Sequence, residues 1–488
     1  MQDMFSHIPW ALVLILLPLL TGMTSFLWPR SAATLGVATA AILVIAVAGL
    51  GWQLHYLYDG TYHHAVGGWG APLGIALHAD GLSLLMLTAT ALVGMGVSVY
   101  SLTYFDREKA LRFWPIWLFL LAALNALFLS ADIFNLYVTL ELLGLAAVSL
   151  TALAGGKAAL DGAMRYLLAT LLGSLCYLLG VALLYHSYGS VDIATLAQRV
   201  EATPAVWSAM GLIGIGMLLK AALFPLHFWL PRAHASAPAP VSAVLSALVI
   251  KAAFYILLRL WLSLFGPLSE SGAELLGLLG AVAILWGSIQ ALRQVRLKLL
   301  IAYSTVAQIG YLFLAFPLAA FAALSTWNAV AYLALSHALA KAAMFLAAGN
   351  LLRFGGHDRI RDLGGVVQRL PLTAWAFALA GVSIMGLPPS GGFIGKWLLL
   401  ETALDQARWD LVLVMMLGGL LAAAYVFKVL GYIFTEADIS HETGEVTKTM
   451  EWAALSLAIA AMVLGFIAVP LLEWLGLEQV VGISEISQ

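Results

Sequence analysis

Leu218-Leu-Lys-Ala-Ala-Leu-Phe-Pro-Leu-His-Phe-Trp-Leu-Pro231 places a lysine and an internal proline in a stretch otherwise apolar enough to cross a bilayer. Pro225 removes a backbone hydrogen bond and clashes with the preceding turn, so a helix running through it must break. A second stretch, 372–404, is too long for one straight membrane helix and contains Gly386-Leu-Pro-Pro-Ser-Gly-Gly-Phe-Ile-Gly-Lys396. Irregular backbone at membrane depth survives only where protein or water satisfies its polar groups. Each break therefore predicts a wet interior with a lysine beside it, and one discontinuous helix in each half of a chain is the pattern of transporters built from inverted repeats.

The composition agrees with a membrane setting. Of 488 residues, 62% are hydrophobic and 10% charged, with a mean hydropathy of +0.97, the balance of an integral membrane protein. A net charge of -2 and a pI near 6.6 leave no polybasic footprint for nucleic acid or for an anionic-lipid switch. The single cysteine, Cys176, excludes internal disulfides and leaves no thiolate set for zinc or an iron–sulfur cluster. The opening Met-Gln-Asp-Met-Phe-Ser-His lacks the basic region of a signal peptide, and the first apolar run is long enough to remain as a helix.

The expected fold is all-α and polytopic, with about fourteen spans of roughly 18 to 25 apolar residues. They fall near 8–27, 32–51, 80–102, 113–130, 132–153, 162–185, 206–231, 238–262, 272–291, 297–316, 325–352, 372–404, 409–435 and 451–475. The expected organisation is 1–112 as N-terminal helices, 113–262 and 272–435 as two inverted five-helix repeats, and 436–488 as a C-terminal loop and last helix. The break is expected in the third helix of each repeat, from about 206 and from about 372. Residues 52–79 read as a loop rich in Gly, His and Tyr, and 188–204 as a short interfacial segment.

Basic residues concentrate in cytoplasmic loops. With the N-terminus outside, alternate loops collect Arg30; Arg107, Lys109 and Arg112; Lys157 and Arg165; Arg232; Arg293, Arg296 and Lys298; Arg353, Arg359, Arg361 and Arg369; and Lys448, against only Arg199, Arg259 and Arg408 opposite. That asymmetry predicts both termini on the periplasmic or external side of an inner or plasma membrane. Depth then separates the remaining charges. At about 1.5 Å per residue, Glu141, Lys220, Lys251 and Lys341 lie near mid-membrane, and ionisable groups kept there are usually part of an ion pathway. Lys428 is close enough to a span end to snorkel. His337, four residues before Lys341, shares its helical face. His63-His64 resembles a metal pair superficially but reads as solvated loop, and no metal-ligand set or nucleophile–base pair stands out elsewhere.

The runs Phe224-Pro-Leu-His-Phe-Trp-Leu-Pro-Arg-Ala-His-Ala-Ser-Ala-Pro-Ala-Pro-Val-Ser-Ala-Val-Leu, Leu300-Ile-Ala-Tyr-Ser-Thr-Val-Ala-Gln-Ile-Gly-Tyr, Ser336-His-Ala-Leu-Ala-Lys-Ala and Pro388-Pro-Ser-Gly-Gly-Phe-Ile-Gly-Lys resemble the antiporter-like subunits shared by respiratory complex I, membrane-bound hydrogenases and Mrp-type cation/proton antiporters. The resemblance spans about 80 to 435. It implies a half-channel glutamate at Glu141, its partner lysine at Lys220, a further lysine at Lys251, a central Lys341 with His337, and an exit residue at Lys396. Lysine at 396, with Gln308 where others carry histidine, is similar to the D-type member of Mrp antiporters or the N-type member of complex I; Pro-Pro-Ser-Gly-Gly departs slightly from the commoner Pro-Pro-Leu-Ser-Gly.

The residue chemistry fits that implication. Removing a lysine from water disfavours its charged form, and a nearby carboxylate restores it, so a Glu141–Lys220 pair can control whether Lys220 keeps its proton. The expected function is proton translocation through Glu141, Lys220, Lys251, His337, Lys341 and Lys396, inside a larger complex of membrane subunits. Two alternatives stand beside it: the pump module of a redox complex, and an inert helical scaffold. Moving one charge across 100 mV involves about 2.3 kcal/mol, and the sequence carries no cofactor or nucleotide site from which to draw it. Glu141 is the one carboxylate placed at mid-membrane, and hard cations need several oxygen ligands, so any sodium path is expected in a partner.

Overall fold

The computed structural model describes residues 7–70, 74–319, 323–437 and 444–476. The opening residues 1–6 and parts of the C-terminal region, 438–443 and 477–488, lie outside them. Its elements are α1 (Trp10–Leu27), α2 (Ala32–Tyr56), a hairpin of β1 (Tyr62–Ala65) and β2 (Ala76–Ala79), α3 (Gly81–Tyr104), α4 (Arg107–Phe128), α5 (Ile133–Ala152), α6 (Gly156–Tyr188), α7 (Pro204–Lys220), α8 (Leu230–Ser236), α9 (Ala239–Leu268) and α10 (Glu270–Arg293). There follow α11 (Leu297–Phe313), α12 (Ala323–Gly355), α13 (Pro371–Met385), α14 (Gly391–Asp405), α15 (Trp409–Ile433), α16 (Lys448–Val463) and α17 (Ala468–Leu475).

Among the described residues, 12 helices are long and apolar enough to cross a membrane. The α7–α8 and α13–α14 pairs supply two more, each interrupted in the middle, which accounts for the expected fourteen. The break falls in the fourth span of each five, not the third. Asp132 at the start of α5 and Gly155 before α6 separate three complete helices ahead of it: the Asp132 carboxylate accepts from Asn135 N–H at 2.6 Å, and Gly155 takes φ 76°. Five crossings per set make the second set enter from the opposite side.

Two corrections concern the loops. Residues 52–79 are not loop throughout, since α2 continues to Tyr56 and the rest contains the antiparallel hairpin. The 188–204 segment holds a short helix, Ile193–Ala197, capped by Asp192 through Thr195 N–H at 2.7 Å. Loops meet in two groups. On the hairpin face, Leu77 bridges to Ser130 and Asp132 to Asp192, and Arg408 pairs with Glu274 at 2.7 Å. On the opposite face, Arg296 bridges to Arg359, and Arg353 donates to the carbonyls of Thr103 and Tyr104 at 3.0 and 3.1 Å. Two residues counted among loop cations leave that group: Arg259 is buried within α9, and Lys298 is 2% exposed in the first turn of α11.

The core runs through α9 and α12, whose most apolar stretches are buried throughout. Both broken spans abut the third helix of their own five through glycines that allow backbone approach. A Cβ on Gly216 of α7 would lie 2.4 Å from Gly173 O of α6, and one on Gly395 of α14 would lie 2.9 Å from the Leu333 backbone of α12.

Candidate functional site

The α7–α8 break sets the first charge. The α7 helix stops at Lys220, Ala222 takes φ 54°, and at the helix end the Leu219 carbonyl accepts from both the Ala222 N–H at 3.2 Å and Trp229 Nε1–H at 2.9 Å. Lys220 Nζ then donates to Glu141 Oε1 at 2.9 Å, and the Ser174 hydroxyl donates to the same oxygen. Lys220 is 6% exposed, whereas the Glu141 side chain keeps 22% of its surface accessible on the flank of α5.

The other lysines are held by main-chain oxygen. In α9, Leu245–Val249 winds as a π-helical turn, and such turns displace carbonyls from the regular ladder. Lys251 Nζ takes two of them, Ser246 O at 3.1 Å and Ala247 O at 2.9 Å. Lys341 donates to Ile301 O at 3.2 Å and to the Ser304 hydroxyl. Between the two amines, Ser246 Oγ and Thr305 Oγ1 lie 2.8 Å apart, and Thr305 Oγ1 donates to the same Ile301 carbonyl at 2.9 Å. One hydroxyl bridge thus joins the two halves of the chain.

Gly386 ends α13 with φ 82°, a left-handed turn that glycine takes at little cost. Lys396 of α14 reaches back over it to Ile384 O at 2.7 Å and Met385 O at 3.4 Å, with its ammonium 4.4 Å from the centre of the Tyr311 ring. Helical side chains lean toward the N-terminus of their helix, which turns Lys396 toward the break. Gln308 Nε2 donates to the same Ile384 carbonyl at 3.3 Å, so Gln308 belongs to this cluster. Lys396 also lines an apolar cavity of about 260 Å³ with Tyr311, Trp397 and Met415.

His337, 3% exposed, has no protein hydrogen-bond partner on either ring nitrogen. Of the six expected residues, the fold brings only Glu141 and Lys220 into direct contact. Ser174 and Ser246 join the site without any signal in the sequence, while Ser304 and Thr305 lie inside the Leu300–Tyr311 run but are not marked there as site residues. Lys428 reaches the end of the neighbouring span, where it donates to Leu292 O and Gln294 O at 2.8 and 2.7 Å and closes the end of α10.

These features define a multi-pass helical membrane protein with buried amines set at helix interruptions. The chain belongs to the family described as NADH:quinone oxidoreductase/Mrp antiporter, TM, whose model matches residues 130–422. It is 36% identical over 440 residues to the N-type subunit of the NADH-quinone oxidoreductase of Desulforudis audaxviator, covering 88% of this chain and 86% of the relative. It is 28% identical over 454 residues to the D-type subunit of the Na(+)/H(+) antiporter of Alkalihalophilus pseudofirmus, covering 90% of this chain and 89% of that one. A chain of the Mrp complex from Dietzia sp. DQ12-45-1b superposes with a TM-score of 0.89 at 25% identity, covering 97% of each chain.

Proposed function

We propose that this chain is the proton-translocating subunit of a multisubunit cation/proton antiporter, oriented with both termini outside an inner or plasma membrane and built on repeats 113–262 and 272–435. The observation that carries the reading is the Lys220–Glu141 contact at 2.9 Å, made where α7 breaks. A static buried ion pair is a poor stabiliser, whereas one whose carboxylate can move away switches the lysine between holding and releasing a proton. Lys251, Lys341 and Lys396 continue the path, with His337 among them and the Ser246–Thr305 bridge between the halves. Water links the remaining gaps. The accessible edge of Glu141, beside the exposed Leu142 and Leu145, suits a neighbouring subunit that sets the position of the carboxylate.

The test is proton flux in proteoliposomes holding the assembled complex. Glu141→Ala and Lys220→Ala each abolish it while assembly persists; near-normal flux in either variant removes the switch. Sodium is carried in a partner on this reading, and sodium-22 uptake by the purified chain alone, lost in Glu141→Gln, would reverse that. The higher identity to the oxidoreductase relative, 36% against 28% for the antiporter relative, favours a second reading as the pump module of a redox complex. Co-purifying subunits decide: small membrane proteins for the antiporter, iron–sulfur proteins for the redox complex.

A further inference from the structure

The histidines of the hairpin lie outside the relay, and the strand geometry re-pairs them. Successive side chains of a strand point to opposite faces, so His63 and His64 cannot share a ligand. His64 stacks instead on Tyr62, at 6.1 Å and 11°. Directly across the ladder from His63 is His78. The His78 peptide N–H turns away to Leu129 O at 2.8 Å, which leaves a non-hydrogen-bonded pair, the kind whose side chains approach most closely.

The two rings have centroids 4.8 Å apart at an angle of 52°. Two imidazoles bound to one tetrahedral ion through bonds of about 2.0–2.1 Å would have centroids about 5 Å apart. His78 Nε2 lies 3.2 Å from Asp80 Oδ2, the carboxylate arrangement that orients metal-ligating histidines. With the proton on Nε2, Nδ1 presents its lone pair, and that atom is buried without a protein partner. Asp80 is fixed in turn by Arg259, whose Nη2 donates to Asp80 Oδ1 at 2.7 Å and whose Nη1 pairs with Asp80 Oδ2. Both histidines line a cavity of about 250 Å³ with Asp80, Ser130 and Arg259, and the negative charge of Asp192 acts on His63.

We propose that His63 and His78 bind a borderline divalent transition-metal ion on the hairpin face, with Zn²⁺ the best match. Imidazole donors suit zinc, copper and nickel rather than magnesium or calcium. Among the described residues no three His, Cys, Asp or Glu side chains gather as a ligand set, so the protein supplies two nitrogens and solvent completes the shell. The site stands over the Asp80–Arg259 anchor of α9, the helix that carries Lys251.

The test uses the full chain in its assembled complex, stripped with a chelator and titrated with Zn²⁺ against a fluorescent zinc indicator. Wild type takes up one ion per chain. His63→Ala, at an exposed position, weakens binding by at least the tenfold or so that losing a hydrogen-bond partner behind a ligand costs, and His64→Ala leaves it unchanged. With Cu²⁺ as the probe, electron paramagnetic resonance shows coupling to two imidazole nitrogens in wild type and to one in His63→Ala, a readout that does not require a folded His78 variant. Unaltered affinity in His63→Ala, or an equal loss in His64→Ala, overturns the assignment.

Discussion

At the α7–α8 break the lysine precedes the irregular backbone and pairs with a carboxylate from another helix; at the α13–α14 break it follows the irregular backbone and is bound to main-chain carbonyls of the preceding helix. Trp229 supplies the donor that closes the first break, so Lys220 is free for a side-chain partner. At the second break Lys396 itself is the closing donor. A carboxylate on a side chain can swing away, whereas a carbonyl at a helix end is fixed by the helix. The first break is therefore suited to control a proton, and the second to hold one in a constant environment.

The largest effect lies at the first break, where either single change abolishes transport. The Glu141→Ala, Lys220→Ala double variant transports no worse than either single variant, because groups that act as one unit are not additive. Flux measured across the three variants, with assembly checked by co-purification, tests this. A double variant that recovers flux over the singles would mean that the pair stabilises the fold and an isolated charge was the only harm.

The second break is sharpened by two substitutions at one site. Lys396→Met removes a titratable group and retains almost no transport. Lys396→Glu retains part of it, since a protonated carboxyl can still donate to Ile384 O while remaining able to titrate. A pH-sensitive dye at fixed membrane potential separates the two outcomes. Equal flux in wild type and Lys396→Met would reduce Lys396 to a helix cap.

Between the breaks, Thr305→Val removes the hydroxyl that faces Ser246 at 2.8 Å while keeping the shape of the side chain. Transport should fall several-fold without loss of assembly, because water can partly replace one hydroxyl. No change at all would separate the two halves into independent paths.

How much of this is legible in the sequence depends on contrast with the background. Pro225, Pro388 and Pro389 stand out in apolar helices, as do single lysines and a histidine, so both breaks and all five basic residues proposed for the relay are visible there. Ser246, Ser304 and Thr305 are not: hydroxyls in apolar helices commonly bond their own preceding turn, and only the packing of α9 on α11 shows which ones bridge. Arg259 and Lys298 pass for loop cations because each lies near a span end, where a few residues of boundary error turn buried into exposed. The His63–His78 pairing is hidden because register, which no local pattern in 52–79 announces, decides which residues face each other.

The smallest predicted effect isolates the cap at the first break. Trp229→Phe keeps an aromatic ring stacked on Tyr166, now 4.4 Å between centroids, and removes only the indole N–H, the shorter of the two bonds to Leu219 O. An unsatisfied buried carbonyl costs about 1–3 kcal/mol, but Leu219 O keeps the Ala222 N–H at 3.2 Å, and the Lys220 ammonium, one residue on, is a further ready donor. Thermal unfolding in detergent should therefore show a loss near the lower end of that range. The informative outcome is in transport. A Lys220 drawn toward the Leu219 carbonyl holds Glu141 less firmly, which would make the first break resemble the second, and proton flux should fall more than the small stability loss explains. Reduced stability with wild-type flux would show that Lys220 keeps its carboxylate without help from Trp229, and that the two breaks differ for a reason other than which donor closes them.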